Sequence, residues 1–200
     1  MVKQQAQVAL STCIVQVGCV SMGTMVLTDN GEVYYCGDSR YGQIPIEEAN
    51  ELEEFKEVEE TQLFKLISMP CRKMVTKIAA GGDHMFAITN EERVYGWGRN
   101  SSAQLGIGFQ QESISTPTPV PAFHEEVVTK LVCGPNYSAA ITTSGRLMVT
   151  GSMEYGKLGL GPNMRSGFIQ EFTCVNKLRS VIDVACGPTH MLAIVNARAT

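Results

Sequence analysis

Runs of five or six apolar residues recur along the chain, each bounded by Gly, Asn, Asp or Ser. Short runs of this kind, flanked by turn residues, predict strands buried on both faces. The runs are also periodic. Gly81, Gly134 and Gly187 stand 53 residues apart, and each sits in the same context: residues 75–89 (VTKIAAGGDHMFAIT), 128–142 (VTKLVCGPNYSAAIT) and 181–195 (VIDVACGPTHMLAIV). A more divergent copy, residues 14–28 (IVQVGCVSMGTMVLT), precedes them by 61 residues rather than 53. Self-similarity at such a period is the signature of a repeat architecture.

The correspondence continues downstream. Residues 32–37 (EVYYCG), 93–98 (RVYGWG) and 146–151 (RLMVTG) share one position, followed by 41–44 (YGQI), 103–106 (AQLG) and 156–159 (GKLG). Turns such as Asp29-Asn30-Gly31 and Ser144-Gly145 separate a second strand from a third. The Pro-rich residues 116–121 (TPTPVP) fit only an outer edge strand, because proline has no N–H to give an interior ladder. Three inner strands and a ragged outer one make a propeller blade. The predicted fold is therefore all-β: an incomplete β-propeller of three four-stranded blades plus half a blade. The expected divisions are an N-terminal strand or tail (1–13), repeat 1 (14–74), repeat 2 (75–127), repeat 3 (128–180) and a partial repeat 4 (181–200).

Charge is unevenly placed. The net charge is −4, yet eight glutamates against the single Lys56 give residues 47–60 a charge of −7. This acidic stretch lies in the extra length of repeat 1, an insertion expected at 47–66. There Leu52, Phe55, Val58, Leu63 and Leu66 fall roughly on one helical face, which predicts a short amphipathic helix. Glu51, Glu54 and Phe55, together with Asp83, are the candidate protein-binding residues. The alternative is a solvated acidic excursion; the functional reading is a docking surface for a basic partner.

A mildly acidic chain without a basic stripe has little to neutralise phosphates, so direct DNA binding is not expected. The seven cysteines include no C-x-x-C pair and are odd in number, which favours reduced thiols and a cytoplasmic or nuclear protein. Residues 8–20 imitate a signal-peptide core, but Ser11, Thr12 and Gln16 interrupt the run, and it reads as a strand. No run reaches the roughly 18 apolar residues a membrane helix needs, so no membrane insertion is expected.

The chemistry-bearing side chains follow the repeat. His84 and His190 share one position, which points to a structural task in the turn after the first strand; His124 is isolated and reads as solvated. Cys133 and Cys186 also share a position and read as small buried hydrophobes. Asp83 adjoins His84, but neighbours on an extended chain face opposite ways, so the two do not form an acid–base pair. Gly106-Ile107-Gly108 and residues 156–161 lack the Gly-Lys-Ser/Thr ending of a phosphate loop and read as tight turns. Trp97 reads as a packing residue between blades. No metal site, cofactor or catalytic group is expected. The structural landmarks are Gly81, His84, Trp97, Gly98, Gly134, Gly151, Gly187 and His190.

These landmarks resemble the repeats of the regulator of chromosome condensation family. Cys186-Gly187 with His190, Tyr95 with Trp97-Gly98, and residues 104–108 (QLGIG) carry the resemblance. The departures are Gly23 and Tyr137 where a histidine belongs, and Pro45 in place of a glycine. The resemblance implies a seven-bladed ring, of which this chain holds three units and the first half of a fourth. Such an arc leaves an apolar blade face and unpaired strand edges, to be met by a longer product, a completing partner or a second copy in a homodimer. The implied function is a non-catalytic protein-interaction or scaffold module. The alternative is an exchange factor, or part of one, acting on a small GTPase.

Overall fold

The computed structural model describes residues 13–44, 61–70, 74–161 and 166–196. The first sheet holds β1 (Ile14–Val20), β2 (Gly23–Thr28), β3 (Val33–Gly37) and β4 (Thr61–Leu66). The second holds β5 (Val75–Ala80), β6 (His84–Thr89), β7 (Val94–Arg99) and β8 (Ser113–Pro119). The third holds β9 (Val128–Cys133), β10 (Tyr137–Thr142), β11 (Leu147–Ser152) and β12 (Phe168–Cys174), and a two-stranded sheet of β13 (Val181–Cys186) and β14 (Met191–Val195) follows. Every sheet is an antiparallel meander in chain order, and successive sheets meet through β1, β5, β9 and β13. Pro117 and Pro119 lie on the outer strand β8, where the missing N–H costs no ladder bond.

The second strand of each full sheet explains the apolar runs. Side chains alternate across a strand, and here both faces are covered. Met25 and Leu27 of β2 pack against Val75, Ile78, Met85 and Ala87 of the second sheet. Phe86 and Ile88, the alternate residues of β6, turn the other way, onto Val128, Leu131 and Ala140 of the third. Ala139 and Ile141 of β10 meet Val181 and Val184 of β13. Each sheet thus has a backward face towards its predecessor and a forward face towards its successor.

Polar contacts hold the same register. Gln16 Nε2 donates to Ile78 O (2.7 Å) and its Oε1 accepts from Ile78 N (2.9 Å). At the equivalent position Lys77 Nζ donates to Thr129 O (3.1 Å), and Lys130 pairs with Asp183. Further out, the loop after β7 reaches the third sheet, where Gly108 N donates to Gln170 O (2.9 Å).

The landmark glycines serve this packing. Each third strand slips register against its outer strand just before Gly37, Gly98 or Gly151. Gly98 has φ +97°, and a Cβ there would lie 2.5 Å from Asp83 O, just before β6. Only glycine accepts both the left-handed backbone and that approach.

The expected helix is not what forms at the end of the acidic insertion. Residues 61–66 are strand β4, paired with β3 through Tyr34–Leu66 and Tyr35–Lys65, and Leu66 is exposed rather than packed on a helical face. The open edge of β3 takes a ladder partner, and that pairing overrides a local helical pattern. The rest of the insertion, with Glu51, Glu54 and Phe55, lies outside the described residues, as does the chain before Cys13.

Trp97 is fully buried in the contact between the first two sheets, with Nε1 donating to Gln43 O (3.2 Å). Trp97→Ala is expected to cost about 3–5 kcal/mol, read as a lower urea midpoint by far-UV circular dichroism. Trp97→Phe, which keeps most of the packing and loses the N–H donor, is expected to cost less than half of that.

Candidate functional site

His84 opens β6 and is wholly buried. Its Nε2 lies 2.8 Å from Ser138 Oγ, and that hydroxyl donates to Gln104 O (2.7 Å). The hydroxyl proton is therefore committed, so Nε2 carries the imidazole proton and donates it, leaving Nδ1 as an unshared acceptor. Burial lowers the His84 pKa to about 3, which keeps the ring neutral. Phe86 meets the ring edge-on at 5.8 Å. A Cβ on Gly81 would lie 2.3 Å from Cys133 Cβ, 2.7 Å from Gly134 O and 3.0 Å from His84 Cε1, so the glycine lets the third sheet come close beside the ring. His84 thus joins the second and third sheets and has no open path to a substrate.

The same task is met differently in the other sheets. Tyr137 takes the position in the third sheet, and its O–H reaches Gly187 O (2.9 Å) and His190 O (2.8 Å) of the fourth. Gly23 takes it in the first sheet, and the space is filled from β3: Tyr35 OH would lie 2.2 Å from a Cβ on Gly23, and donates to Asp38 O (2.6 Å). Burial raises the pKa of both tyrosines. His190 keeps the local geometry, with Gly187 against its ring, but is exposed.

Cys133 and Cys186 are held as thiols. Burial pushes the Cys133 pKa up, and that of Cys186 up to about 11, so neither is a thiolate at neutral pH. Asp83 and His84 diverge as alternation requires: Asp83 Oδ2 faces Arg99 Nη1 at 3.7 Å while His84 enters the sheet contact. Among the described residues, no group of three His, Cys, Asp or Glu side chains is placed to hold a metal ion.

Among the described residues, several strand connections share one end of the sheets. The meander order puts the β1–β2, β5–β6, β7–β8 and β9–β10 connections at that end, with the described part of β11–β12. Asp83 is there, whereas Glu51, Glu54 and Phe55 lie outside the described residues. Arg99 stacks over Tyr41 at 4.6 Å, and Arg40 Nε donates to Asp38 Oδ2 (2.6 Å).

One loop of this end departs from its repeats. In the first two sheets a glutamine caps the loop: Gln43 Oε1 accepts from Tyr41 N (2.9 Å) and Gln104 Oε1 from Ser102 N (2.8 Å). Lys157 stands at that position in the third sheet and has no acceptor to offer. Its Nζ instead donates to Asn136 Oδ1 (2.8 Å) and lies 5.4 Å from the Tyr137 ring centre. Burial lowers its pKa against the opposing charge of Glu154. Tyr155 is left with φ +61° and is 78% exposed. The substitution at Lys157 is visible in the repeat, whereas the left-handed backbone and exposure of Tyr155 are not.

Three four-stranded sheets and a two-stranded fourth, stacked through their first strands, define a partial β-propeller of about three and a half blades. The chain belongs to the regulator of chromosome condensation (RCC1) repeat family. Patterns described as that repeat match residues 75–104, 128–157 and 91–141. The human probable E3 ubiquitin-protein ligase HERC4 is 30% identical over 184 residues, which are 91% of this chain and 16% of that protein. The human X-linked retinitis pigmentosa GTPase regulator is 36% identical over 120 residues, 59% of this chain and 12% of that protein. The chain therefore spans less than a fifth of these relatives. Among solved structures, yeast RCC1 (Prp20) bound to Kap60 superposes with TM-score 0.79 at 19% identity, over 95% of this chain and 43% of that one. Human WBSCR16 superposes with TM-score 0.76 at 23% identity, over 92% and 45%. At these identities the likeness is one of fold.

The depressed pKa of His84 gives a test of its role. Between about pH 6.5 and pH 3 the unfolded chain binds a proton that the folded chain refuses. Stability therefore falls through this window as pH is lowered, by up to about 1.4 kcal/mol per pH unit from this group. His84→Gln is expected to be less stable at pH 7 and to show a correspondingly shallower loss between pH 6.5 and 4.5, measured by urea unfolding at each pH.

Proposed function

We propose that this chain is a non-catalytic protein-interaction or scaffold module whose partner engages the sheet end carrying Asp83, Arg99 and Tyr155. The observation that carries the reading is Tyr155: an aromatic ring held out in solvent by a left-handed backbone, beside the lysine that replaces the loop's glutamine cap. Strained, exposed positions of this kind collect at binding sites, and aromatic side chains near a cation are frequent anchors of protein interfaces. The reading is supported by where the reactive groups are spent. His84, Tyr137, Cys133 and Cys186 all lie in sheet-to-sheet contacts, which leaves connections on a rigid frame to do the recognising.

The acidic residues of the β3–β4 connection, Glu51 and Glu54 with Phe55, are proposed to favour a basic partner, with encounter weakening as salt rises. A second reading, exchange on a small GTPase, is favoured by the similarity to a GTPase regulator and to yeast RCC1. In that case the partner is a small GTPase and the module acts by distorting it, without bond chemistry of its own. The proposed compartment is the cytoplasm or nucleus, in keeping with the free cysteines among the described residues.

A photo-crosslinking residue placed at Tyr155 is expected to capture a defined partner, while one at Thr143, at the opposite end of the sheets, is not. Equal capture at both positions contradicts the assignment. Accelerated nucleotide release from a panel of small GTPases, lost in Tyr155→Ala, would select the exchange reading; capture without release selects the scaffold.

A further inference from the structure

The loop after β7 runs off its own sheet and onto the outer strand of the next. Gly108 N donates to Gln170 O (2.9 Å), and Ile107 and Glu171 form an antiparallel bridge. Two phenylalanines flank this seam: Phe109 follows Gly108, and Phe168 opens β12 just before Ile169 and Gln170. Ile169 packs forward, in the cluster that holds Val181 and Val184, so alternation turns Phe168 back towards the second sheet. Phe172, further along that face, is buried against Phe86 and Phe123. Phe109 and Phe168 instead remain 46% and 42% exposed. Both sheets that meet at the seam are four-stranded, so these rings do not belong to a sheet face that lacks its neighbour.

The loop is held in place before any partner arrives. Asn100 is wholly buried; its Oδ1 accepts from Leu105 N (3.1 Å) and its Nδ2 donates to Phe109 O (2.9 Å). One amide thus clamps both ends of residues 105–109, and Gln110 Nε2 donates to Ser101 O beyond them. A loop fixed in this way loses little freedom on binding. The charge beside it is of one sign. Glu171 Oε1 lies 3.5 Å from where Gly108 would carry a Cβ, and Glu112, on the same loop as Phe109, is exposed. Among the described residues neither carboxylate makes an ion pair. Arg99, at the end of β7, is engaged by Asp83, Ser101 and Tyr41.

We propose that this seam docks a basic segment of a partner protein, an arginine or lysine side chain lying along Phe109 and Phe168 with its charged head paired to Glu171 or Glu112. The face of a phenyl ring attracts a cation, and the aliphatic stem of either side chain covers apolar ring surface. A purely apolar segment would desolvate the carboxylates without pairing them, and an acidic one would meet like charge. A cationic side chain satisfies the rings and the carboxylates together. The proposal goes beyond the reading built on Tyr155 and does not rest on it, since neither that residue nor its loop takes part.

Amide NMR of the full chain, titrated with an N-acetylated peptide of alternating arginine and leucine, tests the assignment. Shifts are expected to centre on residues 107–112 and 168–171 and to weaken as salt is raised. The analogue with glutamate in place of arginine is expected to produce none. Phe109→Ala and Glu171→Gln are each expected to weaken binding by about 2–5-fold, the size of an exposed cation–ring contact or ion pair. Both side chains lie at the surface, so amide spectra away from the seam are expected to match the parent. Tyr155→Ala is expected to leave the titration unchanged. Shifts centred elsewhere or spread evenly over the surface overturn the proposal, as does equal binding of the glutamate analogue. Unaltered affinity in Phe109→Ala overturns it too, and loss of the shifts in Tyr155→Ala moves the peptide to the neighbouring loop.

Discussion

β6 and β10 are buried on both faces by a sheet on each side of them, and this arrangement governs the molecule. β6 and β10 are covered because the alternate residues of each find separate neighbours: Met85 and Ala87 turn back, Phe86 and Ile88 turn forward. Hydrophobic burial supplies the attraction but has no direction of its own. Direction comes from polar contacts that fit only one register, such as both ends of the Gln16 amide on Ile78 or the His84–Ser138–Gln104 chain. Stability in such an array is close to a sum of units and of contacts between neighbours. A sheet with one neighbour is therefore held less firmly than a sheet with two.

This constraint also separates structure from recognition. The groups with the strongest perturbations, His84 and Cys133, are perturbed by burial between sheets, and their shifts report packing rather than poised chemistry. A buried neutral histidine with one committed donor is a strut. The connections at the sheet ends share in that packing at Gln43, Gln104 and Gly108, whereas Tyr155 in the third sheet stands in solvent beside Lys157.

Much of the fold was legible in the residues because the repeat does the reading. Gly134 and Gly187 mark where a ring must fit, Gly81 marks the close approach of the next sheet, Gly98 and Gly151 mark the left-handed step on the third strand, and the prolines of β8 mark an outer edge. The repeat says least where a unit departs from it. Gly23 looks like a lost contact, yet Tyr35 fills the gap from a different strand, at a distance no period reveals. At the end of the acidic insertion, residues 61–66 follow a helical pattern but become β4, because the edge of β3 is a tertiary demand invisible to a local window. Of the candidate binding residues, Asp83 is placed against Arg99, whereas Glu51, Glu54 and Phe55 fall outside the described residues. Tyr155 was missed, because neither its exposure nor its left-handed backbone is carried by the repeat.

The most direct test of this account is native-state hydrogen exchange. If cover on both faces sets local stability, the amides of β6 and β10 exchange only through global unfolding, while those of β14 exchange through a smaller opening and far sooner. Equal protection along β6, β10 and β14 would contradict the claim that neighbouring sheets hold each sheet in place.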